Sequence, residues 1–119
     1  MSNILDIYNT LIRIESNNHI TKRTNVYTKK QIRDYYRLKS IELFSVIERI
    51  DATKSKYISY DINYQLYKNT ECYLFTFKVL ENKKYHIPNK VFQFHQPINY
   101  LNRGKRECIT KDINTLKKY

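Results

Sequence analysis

Apolar residues recur along the chain with two periods, and the change from one to the other divides it into a helical part and a sheet part. Ile4, Ile7, Tyr8, Leu11 and Ile12 stand three or four residues apart behind Ser2, an N-cap residue, which predicts a first helix ending near residue 14. The second helix is better punctuated. Thr28 and Gln31 have the spacing of a capping box, and Tyr27 and Ile32 occupy the flanking staple positions, so a helix is predicted over residues 29–50. Its apolar stripe is Ile32, Tyr36, Leu43, Ile47 and Ile50, widened by Tyr35 and Phe44.

Beyond Asp51 the period shortens to two. Ile58, Tyr60, Ile62, Tyr64 and Leu66 alternate with Ser59, Asp61, Asn63 and Gln65, the signature of a strand with one buried face in an antiparallel sheet. A turn is expected over residues 68–71 and a second strand over 72–80, with Tyr73, Phe75, Phe77 and Val79 on one face. After a turn at 81–84, residues 85–87 and 91–95 read as two short strands around Pro88 and Asn89. Pro97 and Gly104 reopen the chain, and Thr110 caps a predicted last helix bearing Ile113 and Leu116. The expected fold is α+β: two N-terminal helices, a four-stranded antiparallel meander sheet and a short C-terminal helix, in a single domain spanning residues 1–119.

Composition adjusts this picture in two ways. Ile, Lys, Asn and Tyr supply 54 of the 119 residues, while Ala and Gly occur once each, at Ala52 and Gly104. The abundant types use AT-rich codons, so part of the +11 formal charge reflects a genome rather than a function. Such a composition suits a phage, a virus or a mobile element, and a low-GC host equally well. No run approaches 18 apolar residues, residues 1–15 lack the basic start of a secretory signal, and Cys72 and Cys108 are expected to be free thiols. The expected address is the cytoplasm.

The placement of charge carries more information than its total. Lys22, Arg23, Lys29, Lys30, Arg33, Arg37 and Lys39 are opposed only by Asp34, and Lys29, Arg33 and Arg37 share one helix face. A second cluster, Arg103, Lys105 and Arg106, surrounds Gly104. Cations on one face suit a phosphate backbone, because neutralising phosphates releases condensed counterions without reading sequence. Lys29 and Lys30 in a first helical turn also oppose the helix dipole, which an anion there would relieve. The competing account is a solvated face in a Lys-rich chain. Tyr57 and Tyr67 fall by parity on the polar side of the first strand, which makes them candidates for stacking on bases.

Catalytic constellations are thin. Asp61 with Glu81, Asn82 and Lys83 resembles the Asp…Glu-x-Lys set of restriction-endonuclease-like nucleases, where two carboxylates hold Mg²⁺ and the lysine supports the attacking water. There the Glu-x-Lys lies in a strand, and here it falls in a predicted turn, so solvated turn charges account for it better. Cys72, His86, His95 and Cys108 form an irregularly spaced zinc set, with a hairpin near residue 90 expected to bring His86 opposite His95. A single glycine leaves no phosphate loop or nucleophile elbow. In outline, a helix, antiparallel strands and a final helix behind Gly104, Lys105 and Arg106 resemble the double-stranded-RNA-binding domain. The additional N-terminal helix and the longer connection into the last helix depart from it, and no family is assigned. The expectation is a non-enzymatic nucleic-acid-binding accessory protein for DNA or RNA, without cofactor or metal. The alternative is an interaction subunit or inhibitor, for example an anti-defence protein, docking on a nucleic-acid-processing enzyme.

Overall fold

Helix α1 (Ile4–Ser16) and the longer helix α2 (Lys29–Thr53) precede strands β1 (Ile58–Tyr67), β2 (Thr70–Val79) and β3 (Lys90–Pro97). The computed structural model describes residues 4–17 and 26–101. Each helix is placed by its apolar spacing. Ile4, Ile7, Leu11 and Ile14 make the buried stripe of α1, and Tyr36, Leu43, Val46, Ile47 and Ile50 that of α2. The capping box closes as expected: Thr28 Oγ1 accepts from the Gln31 amide at 3.1 Å, and Gln31 Oε1 accepts from the Thr28 amide at 2.9 Å. Lys54 ends α2 in the left-handed region with φ 52°, its amide returning to the Ile50 carbonyl at 3.1 Å.

The strands form an antiparallel sheet in the order β1-β2-β3, so β2 is central and β1 is an edge. Opposition of Phe77 to both Tyr60 and Phe92, and of Phe75 to both Ile62 and Phe94, puts the aromatic residues on one face. The helices cover that face. The core joins Ile7, Leu11, Leu43 and Val46 to Phe75, Phe77, Phe92 and Phe94, closed at its margins by Ile87 and Leu101. Each fully buried side chain of this size contributes about 2 kcal/mol by leaving water. Polar ties hold the layers together: Arg13 to Glu42 at 3.3 Å, Arg49 to Thr10 at 3.3 Å, and Lys90 to Glu15 at 2.9 Å.

The sheet corrects several expectations. It has three strands, because residues 85–87 do not form one. Asn82 Oδ1 accepts from the Lys84 amide at 3.1 Å and bends Lys83–Tyr85 into a 3-10 turn, His86 follows at φ 56°, and an isolated bridge between Asn82 and Ile87 closes the loop. Local side-chain capture of an amide here outcompetes a third ladder. As a result His95 lies opposite Leu74 rather than His86. Burial along β1 also fades: Ile58 is buried, yet Tyr64 is 51% and Leu66 63% exposed on this edge strand, while Tyr73 opposite Tyr64 on the central strand is buried. The β1–β2 turn is tighter than expected, with Lys68 and Asn69 alone between the strands at φ 50° and 62°, the backbone of a type I′ hairpin. The predicted C-terminal helix lies outside the described residues.

Because Thr28 satisfies an otherwise orphaned amide at the start of the helix that spans the sheet, Thr28→Ala is expected to lower stability by about 1 kcal/mol. Urea unfolding would show this as a lower midpoint with an unchanged slope.

Candidate nucleic-acid interface

The first half of α2 carries the basic row. Lys29, Lys30, Arg33 and Arg37 are all exposed, and the row runs along one margin of the buried stripe of the same helix. Among the described residues, Lys29, Lys30 and Arg37 enter no ion pair, and Arg33 has only the 3.8 Å approach of its own neighbour Asp34. The first turn holds no acid to balance the helix dipole, so among the described residues Asp34 alone offsets the positive charge of the row. Arg103, Lys105 and Arg106, like Lys22 and Arg23, lie outside the described residues.

Lys39 is not part of this surface. It is 6% exposed, and its ammonium donates to the His95 carbonyl at 3.3 Å. The rings of Tyr35, Tyr36 and Phe94 stand 5.6 to 5.7 Å from it. Burial lowers its pKa from 10.5 to about 8, with neighbouring Cys72 partly offsetting the shift. No carboxylate pairs with it among the described residues. Its spacing could have revealed this, since Lys39 lies three residues after Tyr36 and four before Leu43, within the buried stripe.

The two tyrosines part company. Tyr57 sits in the turn before β1, where strand parity does not reach, and its half-buried ring packs against the core. Tyr67 is on the polar side as expected, with its ring stacked on His95 at 4.0 Å and 16°. His95 is fixed by a 3.1 Å hydrogen bond between Nε2 and Gln65 Oε1, and burial, with a smaller effect of Lys39, holds its pKa below the usual imidazole value. This ring pair joins β1 to β3 across β2, over buried Cys72, whose thiol pKa burial pushes up. A second pair, Tyr36 of α2 on Tyr100 after β3, stacks at 5.2 Å and 13°.

Between the two pairs is a cavity of about 430 Å³, lined by Ile32, Tyr36, Tyr67, Lys68, His95 and Tyr100 among others. Of this set the sequence pointed to Tyr67 for stacking, and to His95 and Cys72 only as parts of an irregular zinc set. The other groups once weighed for chemistry are dispersed: Asp61 holds the Asn63 amide at 2.8 Å on β1, while Glu81 and Lys83 lie in the loop after β2. Among the described residues, no three of His, Cys, Asp and Glu are grouped to share a metal ion. No described helix is long and apolar enough to cross a membrane. Comparison with protein-family models, curated proteins and solved structures returned no match.

Lys39 gives a pH signature. With its folded pKa below the unfolded value, the cost of burying its charge is fully present below about pH 8 and is relieved as pH rises toward 10.5. The Cys72 thiol acts in the opposite sense above its ordinary value of 9.0, so the Lys39 effect stands clear between pH 8 and 9. Stability of the natural protein is expected to rise across that interval. Lys39→Met should gain about 2 kcal/mol at neutral pH and flatten the rise, as measured by urea unfolding at each pH.

Proposed function

We propose that this chain is a small, basic, non-enzymatic nucleic-acid-binding accessory protein of replication, repair or regulation that grips the backbone through α2. The observation that carries the reading is the row Lys29, Arg33 and Arg37 with Lys30, exposed on one helix and opposed only by Asp34. From Lys29 to Arg37 the row covers about 12 Å of axis at 1.5 Å per residue. Phosphates recur about every 3.4 Å of axis along one strand of a duplex, so the row can meet several of them. Such contacts give affinity through counterion release and leave the sequence unread.

A second reading is favoured by a different feature of the same helix. Leu38 is 58% and Ile41 65% exposed beside Arg37, an apolar pair that suits the centre of a protein interface ringed by charge. On that reading the chain is an interaction subunit or inhibitor, such as an anti-defence protein, docked on a nucleic-acid-processing enzyme.

Fluorescence anisotropy with labelled nucleic acid over a series of salt concentrations separates the two. Phosphate binding predicts a linear fall of log affinity with log salt, and Arg33→Glu combined with Arg37→Glu should lower affinity at least about tenfold and the slope by about two. Unchanged affinity and slope in the folded double variant would remove the basic row from the function.

A further inference from the structure

We infer that the cavity beside the basic row holds one unstacked base, making the ligand a single-stranded nucleic acid; this rests on the nucleic-acid reading above and names its substrate class. The cavity lies where three elements end together: the first turns of α2 with Ile32 and Tyr36, the β1–β2 turn with Tyr67 and Lys68, and the end of β3 with His95 and Tyr100. Its volume of about 430 Å³ falls within the range of small-molecule sites, roughly 300–1,000 Å³.

Its walls have the chemistry of a base site. The stacked pairs Tyr67–His95 and Tyr36–Tyr100 both contribute to its lining, the first from the polar face of the sheet and the second from α2 and the turn after β3. Aromatic surfaces accept any base, because every base has a π-face to lay against them. Polar groups suited to a base edge share the lining: the Thr70 hydroxyl, the Asn99 amide and the Cys72 thiol. Burial favours the uncharged imidazole of His95 and the protonated thiol of Cys72, so neither adds charge to the cavity at neutral pH.

Phosphate-binding cations border the same space. Seven residues of α-helix turn through a net angle of about 20°, so Lys29 lies on nearly the same line as Tyr36, with Arg33 about 60° away. Lys68 lines the cavity from the hairpin side, its ammonium 5.3 Å from the Tyr67 ring and its backbone fixed at φ 50°. A strand crossing from the α2 row to Lys68 would carry its backbone over the cations and one base into the cavity. Bases paired and stacked within a duplex cannot enter without being extruded.

The test is anisotropy of the natural protein at low salt with three labelled probes of equal length: an oligothymidylate, an abasic strand and a duplex. The oligothymidylate is expected to bind about tenfold more tightly than either of the others. Tyr67→Leu, with its fold verified by thermal melting, should narrow the gap between base-bearing and abasic strands, costing the base-bearing strand more affinity than the abasic one. Arg33→Glu should weaken both single strands alike. Equal affinity for all three probes would overturn the cavity proposal and leave backbone binding intact. Absence of binding to every probe would overturn both. The comparison of probes on the natural protein decides the matter even if Tyr67→Leu fails to fold.

Discussion

Everything on this molecule is oriented by the seating of α2 on the aromatic face of the sheet. Leu43, Val46, Ile47 and Ile50 meet a floor built by Phe75 and Phe77 on β2 and Phe92 and Phe94 on β3. A helix with a single apolar stripe can bury it in only one rotation, and that rotation decides what faces water. Two hydrogen bonds fix the same docking near the helix start, from Lys39 to the His95 carbonyl and from the buried Gln96 amide to the Tyr36 carbonyl at 3.1 Å. Given this seat, Lys30, Arg33, Arg37 and Ile41 face solvent while Ile32 and Tyr36 face the end of the sheet. The basic row and the aromatic cavity are two sides of one packing decision.

Lys39 shows how narrow the margin is. It stands two residues from Arg37, about 200° around the helix, and that angle turns a surface cation into an interior one. Its ammonium trades water for a carbonyl and three ring faces, which do not fully compensate it, and the lowered pKa is the record of that deficit. Among the described residues, the cations from Lys29 to Lys39 read as a block therefore overcount the surface by one. Read at helical spacing, the same letters distinguish the interior lysine from its neighbours, because it completes the series from Tyr36 to Leu43.

Features written in local spacing were legible in the sequence. The Thr28–Gln31 capping box and the long helix behind it depend on residues within one turn, and the alternation from Ile58 to Leu66 sets which side of β1 meets the core. What failed depended on competition or on position in the sheet. Tyr85 and Ile87 alternate like a strand, yet the Asn82 side chain reaches the Lys84 amide first and folds the segment on itself. Tyr64 and Leu66 obey parity and remain exposed, because being on the edge of the sheet is a property of the assembled layers. Tyr57 lost its place on the polar face for the smallest of reasons, that the strand begins one residue later.

The cavity was the least legible part, since its walls are assembled from residues remote in sequence. Tyr36 meets Tyr100 only after α2 has crossed the sheet, and Tyr67 meets His95 only through two successive strand registers, Gln65 to Cys72 and Leu74 to His95. In the sequence His95 had value as a metal ligand, on the strength of an expected hairpin that would have faced it with His86. The actual register gives it a tyrosine instead, and with that exchange the chemistry changes from coordination to stacking. A histidine kept uncharged by burial, bonded to a glutamine and laid flat on a phenol ring, is well suited to be the wall of an aromatic site. The sheet register, more than the inventory of side chains, selects between those roles.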